Sequence, residues 1–169
     1  LQYATALYIR EAIYTWFNRL VALRCLEARV PGMDEAIKVK PDYADAHSNL
    51  GHLLVQKGQI KRGIAHYQQA LKVSPDHADT HNNLGGALAQ LGRVDEAVPH
   101  YLQALRIKPL DPESHNNLGN ALLRLGKVQM AVEHYQEALR LKPDYAEANY
   151  NLANALVLQG RTKEAIVYY

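Results

Sequence analysis

Residues 78–111 read ADTHNNLGGALAQLGRVDEAVPHYLQALRIKPLD, and similar segments of the same 34-residue length recur along the chain. The period is marked by one proline near the end of each copy: Pro41, Pro75, Pro109 and Pro143. Residues 44–77 and 112–145 are two further full copies, and residues 146–169 are a fourth copy that ends early. A fixed period of this length predicts a repeat array, in which each unit packs against the next one.

The residues that recur predict the structure of each unit, when positions are counted from the first residue of each copy. Position seven is Leu50, Leu84, Leu118 and Leu152, position eight is Gly51, Gly85, Gly119 and Ala153, and position eleven is Leu54, Leu88, Leu122 and Leu156. Position twenty is Gly63, Ala97, Ala131 and Ala165, position twenty-four is Tyr67, Tyr101, Tyr135 and Tyr169, and position twenty-seven is Ala70, Ala104 and Ala138. Each set has the spacing of one helical face. A glycine at position fifteen separates the two sets, as a helix C-cap does. Each copy therefore predicts two short antiparallel helices that approach closely at small residues, with the tyrosine between them.

These recurring residues resemble the tetratricopeptide repeat, a family with Leu at position seven, Gly at eight, Ala at twenty, an aromatic residue at twenty-four and Pro at thirty-two. The resemblance covers residues 44–169 without an insertion. The usual Trp of position four is replaced by His47, His81, His115 and Asn149. The resemblance implies an all-α, right-handed superhelical solenoid of antiparallel helix pairs, whose first helices line a concave binding surface.

The two ends of the chain depart from the regular pattern. Residues 1–43 fit the repeat poorly, and we predict a divergent helical segment or degenerate repeat whose Trp16 and Phe17 pack on the next unit. A docking surface for another subunit is the alternative. At the other end Leu152, Leu156, Ile166 and Tyr169 are expected to lack a polar cap. We expect the natural protein to continue there, or another chain to cover this end, and self-association through either end is a further alternative.

Composition argues against several classes of function. The formal net charge is only +2 and no run of Lys or Arg is present, so no nucleic-acid partner is predicted. Cys25 is the single cysteine, which excludes an internal disulfide framework, and no Cys/His cluster has zinc spacing. No apolar run is long enough to insert into a membrane. No nucleophile–base motif, phosphate loop or metal motif appears, so neither an enzyme nor a cofactor is predicted.

Asparagine recurs where the family resemblance places the concave surface, at positions two, five, six, nine, twelve and thirteen. Position six forms an asparagine ladder, one residue per repeat: Asn49, Asn83, Asn117 and Asn151. Further amides lie at positions five and nine: Asn82, Asn116, Asn120 and Asn154. An Asn side chain both donates and accepts hydrogen bonds, so the ladder is suited to the backbone of an extended peptide. The segments HSNLG, HNNLG and YNLAN resemble repeats of the O-linked N-acetylglucosamine transferase, which use this device. In the alternative reading these asparagines only brace neighbouring helices.

Position two is acidic in all four copies, as Asp45, Asp79, Glu113 and Glu147. These acids are suited to the positive end of the first helix. Asp45, Asp79 and Glu113 are also candidates for a negative rim that contacts a Lys or Arg of a ligand, and His52 at position nine is a further candidate contact. Family members that clamp a terminal carboxylate carry Lys or Arg at positions two, five and six. Such a clamp is not predicted here.

Histidines and aspartates recur beside the first helices. His47, His81 and His115 share position four, and His66, His100 and His134 share position twenty-three. Repeat duplication explains this recurrence, so packed or half-exposed histidines are predicted rather than metal ligands. Asp42, Asp76 and Asp144 are predicted to be the N-caps of their helices, with Asp111 taking that role one residue later in the third copy.

These observations predict a protein-interaction scaffold that binds an extended peptide segment. The alternatives are the substrate-recognition arm of a larger enzyme, such as a glycosyltransferase, and a self-associating structural module.

Overall fold

The computed structural model describes residues 44–169, which contain the three full copies and the shortened fourth copy. Trp16, Phe17 and Asp42, and with them the predicted N-terminal packing or docking surface, lie outside the described residues.

Residues 44–169 fold into consecutive helices joined by short turns and contain no strand. The helices are α1 Ala44–Gln56, α2 Ile60–Val73, α3 Ala78–Gln90, α4 Val94–Ile107, α5 Pro112–Arg124, α6 Val128–Leu141, α7 Ala146–Leu158 and α8 Thr162–Ala165, followed by a 3-10 turn at Ile166–Tyr168. The two helices of each repeat pack on one another, and the second helix of each repeat then packs on the first helix of the next. The predicted all-α solenoid of antiparallel helix pairs is therefore confirmed.

The turn within each repeat is built by the glycine at position fifteen. In the second repeat Gly92 has a φ of +78°, and its N–H donates to the carbonyl of Ala89 over 3.0 Å. The N–H of Arg93 donates to the carbonyl of Leu88 over 3.0 Å, which completes a Schellman motif. Gly58, Gly126 and Gly160 have the same positive φ. Glycine is favoured because other residues adopt this conformation at a cost.

The closest approach within a repeat occurs between the small residue at position eight and the tyrosine at position twenty-four. A Cβ placed on Gly85 would lie 2.7 Å from a ring carbon of Tyr101. Gly51 and Gly119 stand in the same relation to Tyr67 and Tyr135. The three tyrosine rings are buried among the recurring leucines and alanines of both helices. The predicted close approach at small residues is therefore observed.

The caps of the first helices differ from the prediction. Asp111 caps α5 as predicted, because its carboxylate accepts the N–H of Ser114 over 3.1 Å. In α3, however, the N-cap is His77, whose Nδ1 accepts the N–H of Thr80 over 3.3 Å. The N-cap of α7 is Tyr145, whose side chain forms no capping hydrogen bond. The capping residue thus occupies the last position of each repeat, and the prediction for Asp76 and Asp144 was wrong by one residue.

The array curves toward its first helices. Among residues 44–169, α1 contacts α3, α3 contacts α5 and α5 contacts α7, whereas the second helices of adjacent repeats are not in contact with one another. Elements on the inside of a curved stack are closer together than those on the outside. The first helices therefore line the concave surface.

The fourth repeat contains only the first residues of its second helix, because the sequence ends at Tyr169. Its second helix is α8, only four residues long, and Tyr169 is 70% exposed. Ile166 is also exposed, whereas Leu152 and Leu156 are buried against the preceding helices. The expectation that all four residues lack cover is therefore correct only for Ile166 and Tyr169.

Candidate functional site

An open groove of about 500 Å³ lies on the concave surface of the first three repeats. It is lined by His52, Val55, Gln56, Tyr67, Asn82, Asn83, Gly86, Ala87, Gln90, Tyr101, Glu113 and Asn117. Five of these residues carry a carboxamide, and Glu113 is the one carboxylate among them. The groove therefore presents mainly neutral hydrogen-bonding groups, with a single carboxylate.

The asparagine ladder divides into two pairs. The Nδ2 of Asn117 donates to the Oδ1 of Asn82 over 3.1 Å, and the Nδ2 of Asn151 donates to the Oδ1 of Asn116 over 3.0 Å. Each of these bonds joins a first helix to the first helix of the preceding repeat. Asn49 and Asn83 form no side-chain hydrogen bond to any residue of the described array. Asn117 and Asn151 therefore brace neighbouring helices, as the alternative prediction expects. Asn49 and Asn83 have carboxamides that the array does not use, as a peptide-binding ladder requires.

The position-five asparagines lie in the contacts between repeats. Asn82 is 7% exposed and donates to the Oε1 of Glu113 over 3.2 Å, and Asn116 is 0% exposed and donates to the Oε1 of Glu147 over 2.9 Å. Each of them bridges positions two and six of the following repeat. We revise the expectation for this pair, because their amide groups are already used to join repeats and Asn116 is closed to any ligand.

The junction between the first two repeats is built differently. Position five is Ser48 there, and its hydroxyl accepts a hydrogen bond from Thr80 over 2.7 Å. Thr80 lies one turn of helix away from Asn83 on α3, so the junction does not use Asn83. The first repeat has Ser48 where later repeats have an asparagine, which explains why the carboxamide of Asn83 has no hydrogen-bond partner in the array.

The acids at position two are engaged within the array. Asp45 contacts the Nε2 of His77 over 3.0 Å, and Asp79 contacts the Nζ of Lys108 over 2.6 Å. Glu113 and Glu147 accept hydrogen bonds from the position-five asparagines. A partner carrying Lys or Arg would have to compete with these contacts. Of the three predicted rim acids, only Glu113 lines the groove.

The residue at position nine decides what covers the tyrosine hydroxyl beneath the groove. In the third and fourth repeats it is asparagine: Asn120 accepts the hydroxyl hydrogen of Tyr135 over 2.7 Å, and Asn154 accepts that of Tyr169 over 2.8 Å. In the first repeat it is His52, which is exposed and lies 2.9 Å from the amide nitrogen of Gln56. In the second repeat it is Gly86.

Tyr67 and Tyr101 belong to the floor of the groove, although the sequence predicted only a packing role for them. Their side chains are 1% and 3% exposed, and their rings fill the space between the helices. Burial raises the pKa of both hydroxyls to about 12, so both remain hydrogen-bond donors at neutral pH. The signal that could have found them is the loss of asparagine at position nine in the same two repeats.

The recurrent histidines form one pair in each full repeat. The two Nδ1 atoms are 3.0 Å apart in His47–His66, 3.1 Å in His81–His100 and 3.0 Å in His115–His134. The Nε2 of His81 lies 2.9 Å from the carbonyl oxygen of Pro75 in the preceding repeat, to which it can only donate. Its Nδ1 is therefore the acceptor in the pair, and His100 is the donor.

Each histidine pair packs the first helix against the second. Among residues 44–169, no group of three or more His, Cys, Asp or Glu side chains is arranged to hold a metal ion. Burial, followed by the charge of the paired histidine, lowers the pKa of His100 and of His134. The predicted packed histidines are therefore observed.

Three family models match the sequence in overlapping or adjacent ranges. Residues 48–112 and 100–133 match models of the tetratricopeptide repeat, and residues 119–160 match a model of the TPR repeat. The chain belongs to the tetratricopeptide repeat family. No protein of curated function matches the sequence closely enough to identify a relative.

Solved structures of repeat proteins share the fold. MamA 41-end from Desulfovibrio magneticus RS-1 has a TM-score of 0.79 at 21% identity, covering 89% of this chain and 88% of that one. MamA AMB-1 has a TM-score of 0.64 at 27% identity, covering 74% of both chains. YrrB, described as a TPR protein with an unusual peptide-binding site, has a TM-score of 0.75 at 22% identity, covering 89% of this chain and 78% of that one. Between residues 44 and 169, every helix is too short or too polar to cross a membrane.

Proposed function

We propose that this chain is a non-catalytic scaffold whose concave groove holds an extended segment of a partner protein through the open amides of Asn49 and Asn83. The single observation that carries the proposal is the unpaired state of these two amides on a surface where the equivalent groups of later repeats are hydrogen-bonded. Asn83 lines the groove, and Asn49 is exposed at the equivalent position of α1, one repeat earlier and outside the groove lining. Polar groups on such a surface that are not used by the fold are free to bind a ligand.

The spacing of the first helices suits an extended backbone. Packed helices lie about 8–10 Å apart, and three residues of extended chain span about 10 Å. One asparagine per repeat can therefore meet the peptide backbone at every third residue. Each carboxamide can accept a backbone N–H and donate to a backbone carbonyl, so binding of this kind depends little on the ligand's side chains.

The two halves of the asparagine ladder would contribute unequally. Asn49 and Asn83 offer both a donor and an acceptor, whereas Asn117 and Asn151 use one N–H to join repeats. The second pair keeps its carbonyl oxygen for a peptide N–H. We expect the first two repeats to supply most of the affinity, with Gln90 as a further amide in the same groove. The peptide-binding site described for YrrB, a protein of the same fold, supports this class of function.

Peptide binding by paired variants tests the proposal. Peptides of about 12 residues, long enough to span the groove, are selected from a random library on the wild-type chain and measured by fluorescence polarisation. The Asn49→Ala/Asn83→Ala variant should bind the selected peptides about tenfold to thirtyfold more weakly, since each lost hydrogen bond contributes about 1 kcal/mol.

The matched control removes two amides from elsewhere. Gln68 and Gln136 lie exposed on the second helices, away from the concave surface, and the Gln68→Ala/Gln136→Ala variant should keep the wild-type affinity. Circular dichroism establishes that both variants are folded. Wild-type affinity in a folded Asn49→Ala/Asn83→Ala variant would refute the role of these amides.

A further inference from the structure

The hydroxyl of Tyr101 is the one polar atom of a side chain that is otherwise enclosed in the second repeat. The side chain is 3% exposed and lines the floor of the groove. No residue between 44 and 169 forms a hydrogen bond with this hydroxyl. Every fully buried side-chain nitrogen or oxygen atom of the described residues has a hydrogen-bond partner, so the hydroxyl oxygen of Tyr101 must be in contact with solvent. It is therefore an unpaired donor that points into the groove.

The third repeat shows what normally occupies this place. There the carboxamide of Asn120 stands above Tyr135 and accepts its hydroxyl hydrogen over 2.7 Å. The corresponding residue of the second repeat is Gly86, and a Cβ placed on Gly86 would meet only the hydroxyl of Tyr101, at 3.8 Å. The second repeat thus has an open space where the third repeat has a carboxamide.

We infer that the space between Gly86 and the Tyr101 hydroxyl is a subsite for a carboxamide side chain, an Asn or Gln, of the bound segment. This inference rests on the proposed peptide-binding function of the groove. The ligand's amide oxygen takes the place that the oxygen of Asn120 holds in the third repeat and accepts the hydrogen of Tyr101. The array itself supplies the template for the interaction.

The surrounding charges select a carboxamide over a carboxylate. Glu113 lines the same groove and acts electrostatically on Tyr101, so a ligand carboxylate would meet a negative charge there. Arg124 also acts on Tyr101, but its guanidinium donates to the carbonyl of Ala89 and it is not part of the groove wall. The NH2 group of a carboxamide can donate to Glu113 or to the oxygen of Asn83. A carboxamide therefore satisfies both the donor and the acceptors of this subsite, and a carboxylate satisfies only the donor.

The Gly86→Asn variant tests the subsite by filling it from within the protein. The probes are the library-selected peptides, each resynthesised with Asn, Gln, Asp, Glu or Ala at every position in turn. The wild-type chain should show one position at which Asn or Gln binds about tenfold better than Asp, Glu or Ala. In the Gly86→Asn variant this preference should disappear, because the introduced carboxamide occupies the space next to the Tyr101 hydroxyl. The Gln68→Ala/Gln136→Ala variant, which is changed outside the groove, should keep the preference.

The Tyr101→Phe variant is a second, independent test, since it removes the donor and retains the buried ring. It should lose the same preference. The subsite would be overturned if the wild-type chain bound peptides without a preference for Asn or Gln, or if the two variants kept that preference. Neither outcome would contradict peptide binding by the groove. Failure of the wild-type chain to bind any library peptide would overturn the groove and the subsite together.

Discussion

The side chain of Asn117 donates a hydrogen bond to Asn82 across the junction of the second and third repeats, over 3.1 Å. Asn82 in turn donates to Glu113, which lies one helical turn before Asn117 on the same helix. One buried carboxamide therefore holds two points of the next helix. The neighbouring Asn83 has the same side chain and takes no part in this contact. Asparagine at positions five and six thus serves the array in one case and is open to a ligand in the other.

Replacing these adjacent asparagines should separate stability from binding. Asn82→Ala removes a buried carboxamide and the two hydrogen bonds that it forms with Glu113 and Asn117, so we expect it to lower the free energy of unfolding by about 1–3 kcal/mol. Asn83→Ala should change that free energy by less than about 0.5 kcal/mol and should weaken peptide binding. Urea denaturation and peptide titration of both variants check this. Equal losses of stability in the two variants would contradict the assignment.

The sequence predicts the backbone of this array better than its side-chain contacts. Leucines, glycines and tyrosines at fixed spacing are sufficient for the helix pairs, because helical periodicity determines which face is buried. Recurrence of asparagine shows that a position is used but not for what, since the distance between adjacent first helices depends on how the repeats pack. Ser48 at the first junction is the departure that frees Asn83, and it can be seen in the sequence only once the partner Thr80 is known.

The histidine pairs could have been predicted from the sequence. Positions four and twenty-three are both histidine in the three full repeats, and both change in the fourth, to Asn149 and Tyr168. Residues that change together across repeats are candidates for contact. The caps of α3 and α7 could not be predicted in this way, because Asp76 and Asp144 are good capping residues that lie one position too early for the helix that follows.

Two adjacent glycines of α3 should respond oppositely to substitution by alanine. A Cβ on Gly85 would lie 2.7 Å from the Tyr101 ring, so Gly85→Ala should destabilise the protein by about 1–2 kcal/mol even after the better helix propensity of alanine is counted. A Cβ on Gly86 meets nothing closer than 3.8 Å, so Gly86→Ala should stabilise it by about 0.5–1 kcal/mol. Thermal unfolding of both variants gives the measurement. Stabilisation by Gly85→Ala would show that the ring has room to move.

The helix caps give a matched comparison between two aspartates. Asp111 accepts the N–H of Ser114, and Asp111→Ala should lower the free energy of unfolding by about 1 kcal/mol. Asp144 precedes α7 but is not its N-cap, so Asp144→Ala should leave that free energy within about 0.5 kcal/mol of wild type. Chemical denaturation distinguishes the two. A loss of about 1 kcal/mol in the Asp144→Ala variant would show that Asp144 caps α7 after all, as predicted from the sequence.

Acidification from pH 7 to pH 5 should destabilise the array through its histidine pairs. The pKa of His100 and of His134 is lowered in the folded protein, first by burial and then by the paired histidine, and the nearby carboxylates of Glu96 and Glu137 only partly oppose this. The unfolded chain therefore binds more protons than the folded one as the pH falls below the ordinary histidine pKa of about 6.5. The stabilisation is complete above that pH and is lost as the pH falls toward the lowered values of the folded state.

Arginine partners lower the pKa of three carboxyl groups, those of Glu96, Glu137 and Glu164. These groups titrate below the range from pH 7 to pH 5 and do not contribute to the change in stability measured there. The His100→Gln/His134→Gln variant keeps a donor for the paired Nδ1 atoms and removes the titration, so its free energy of unfolding should vary less between pH 7 and pH 5 than that of the wild type. His52→Gln changes an exposed histidine outside the pairs and should keep the wild-type pH dependence. If the paired variant and the wild type lost stability in parallel, the histidine pairs would not be the acid-sensitive element.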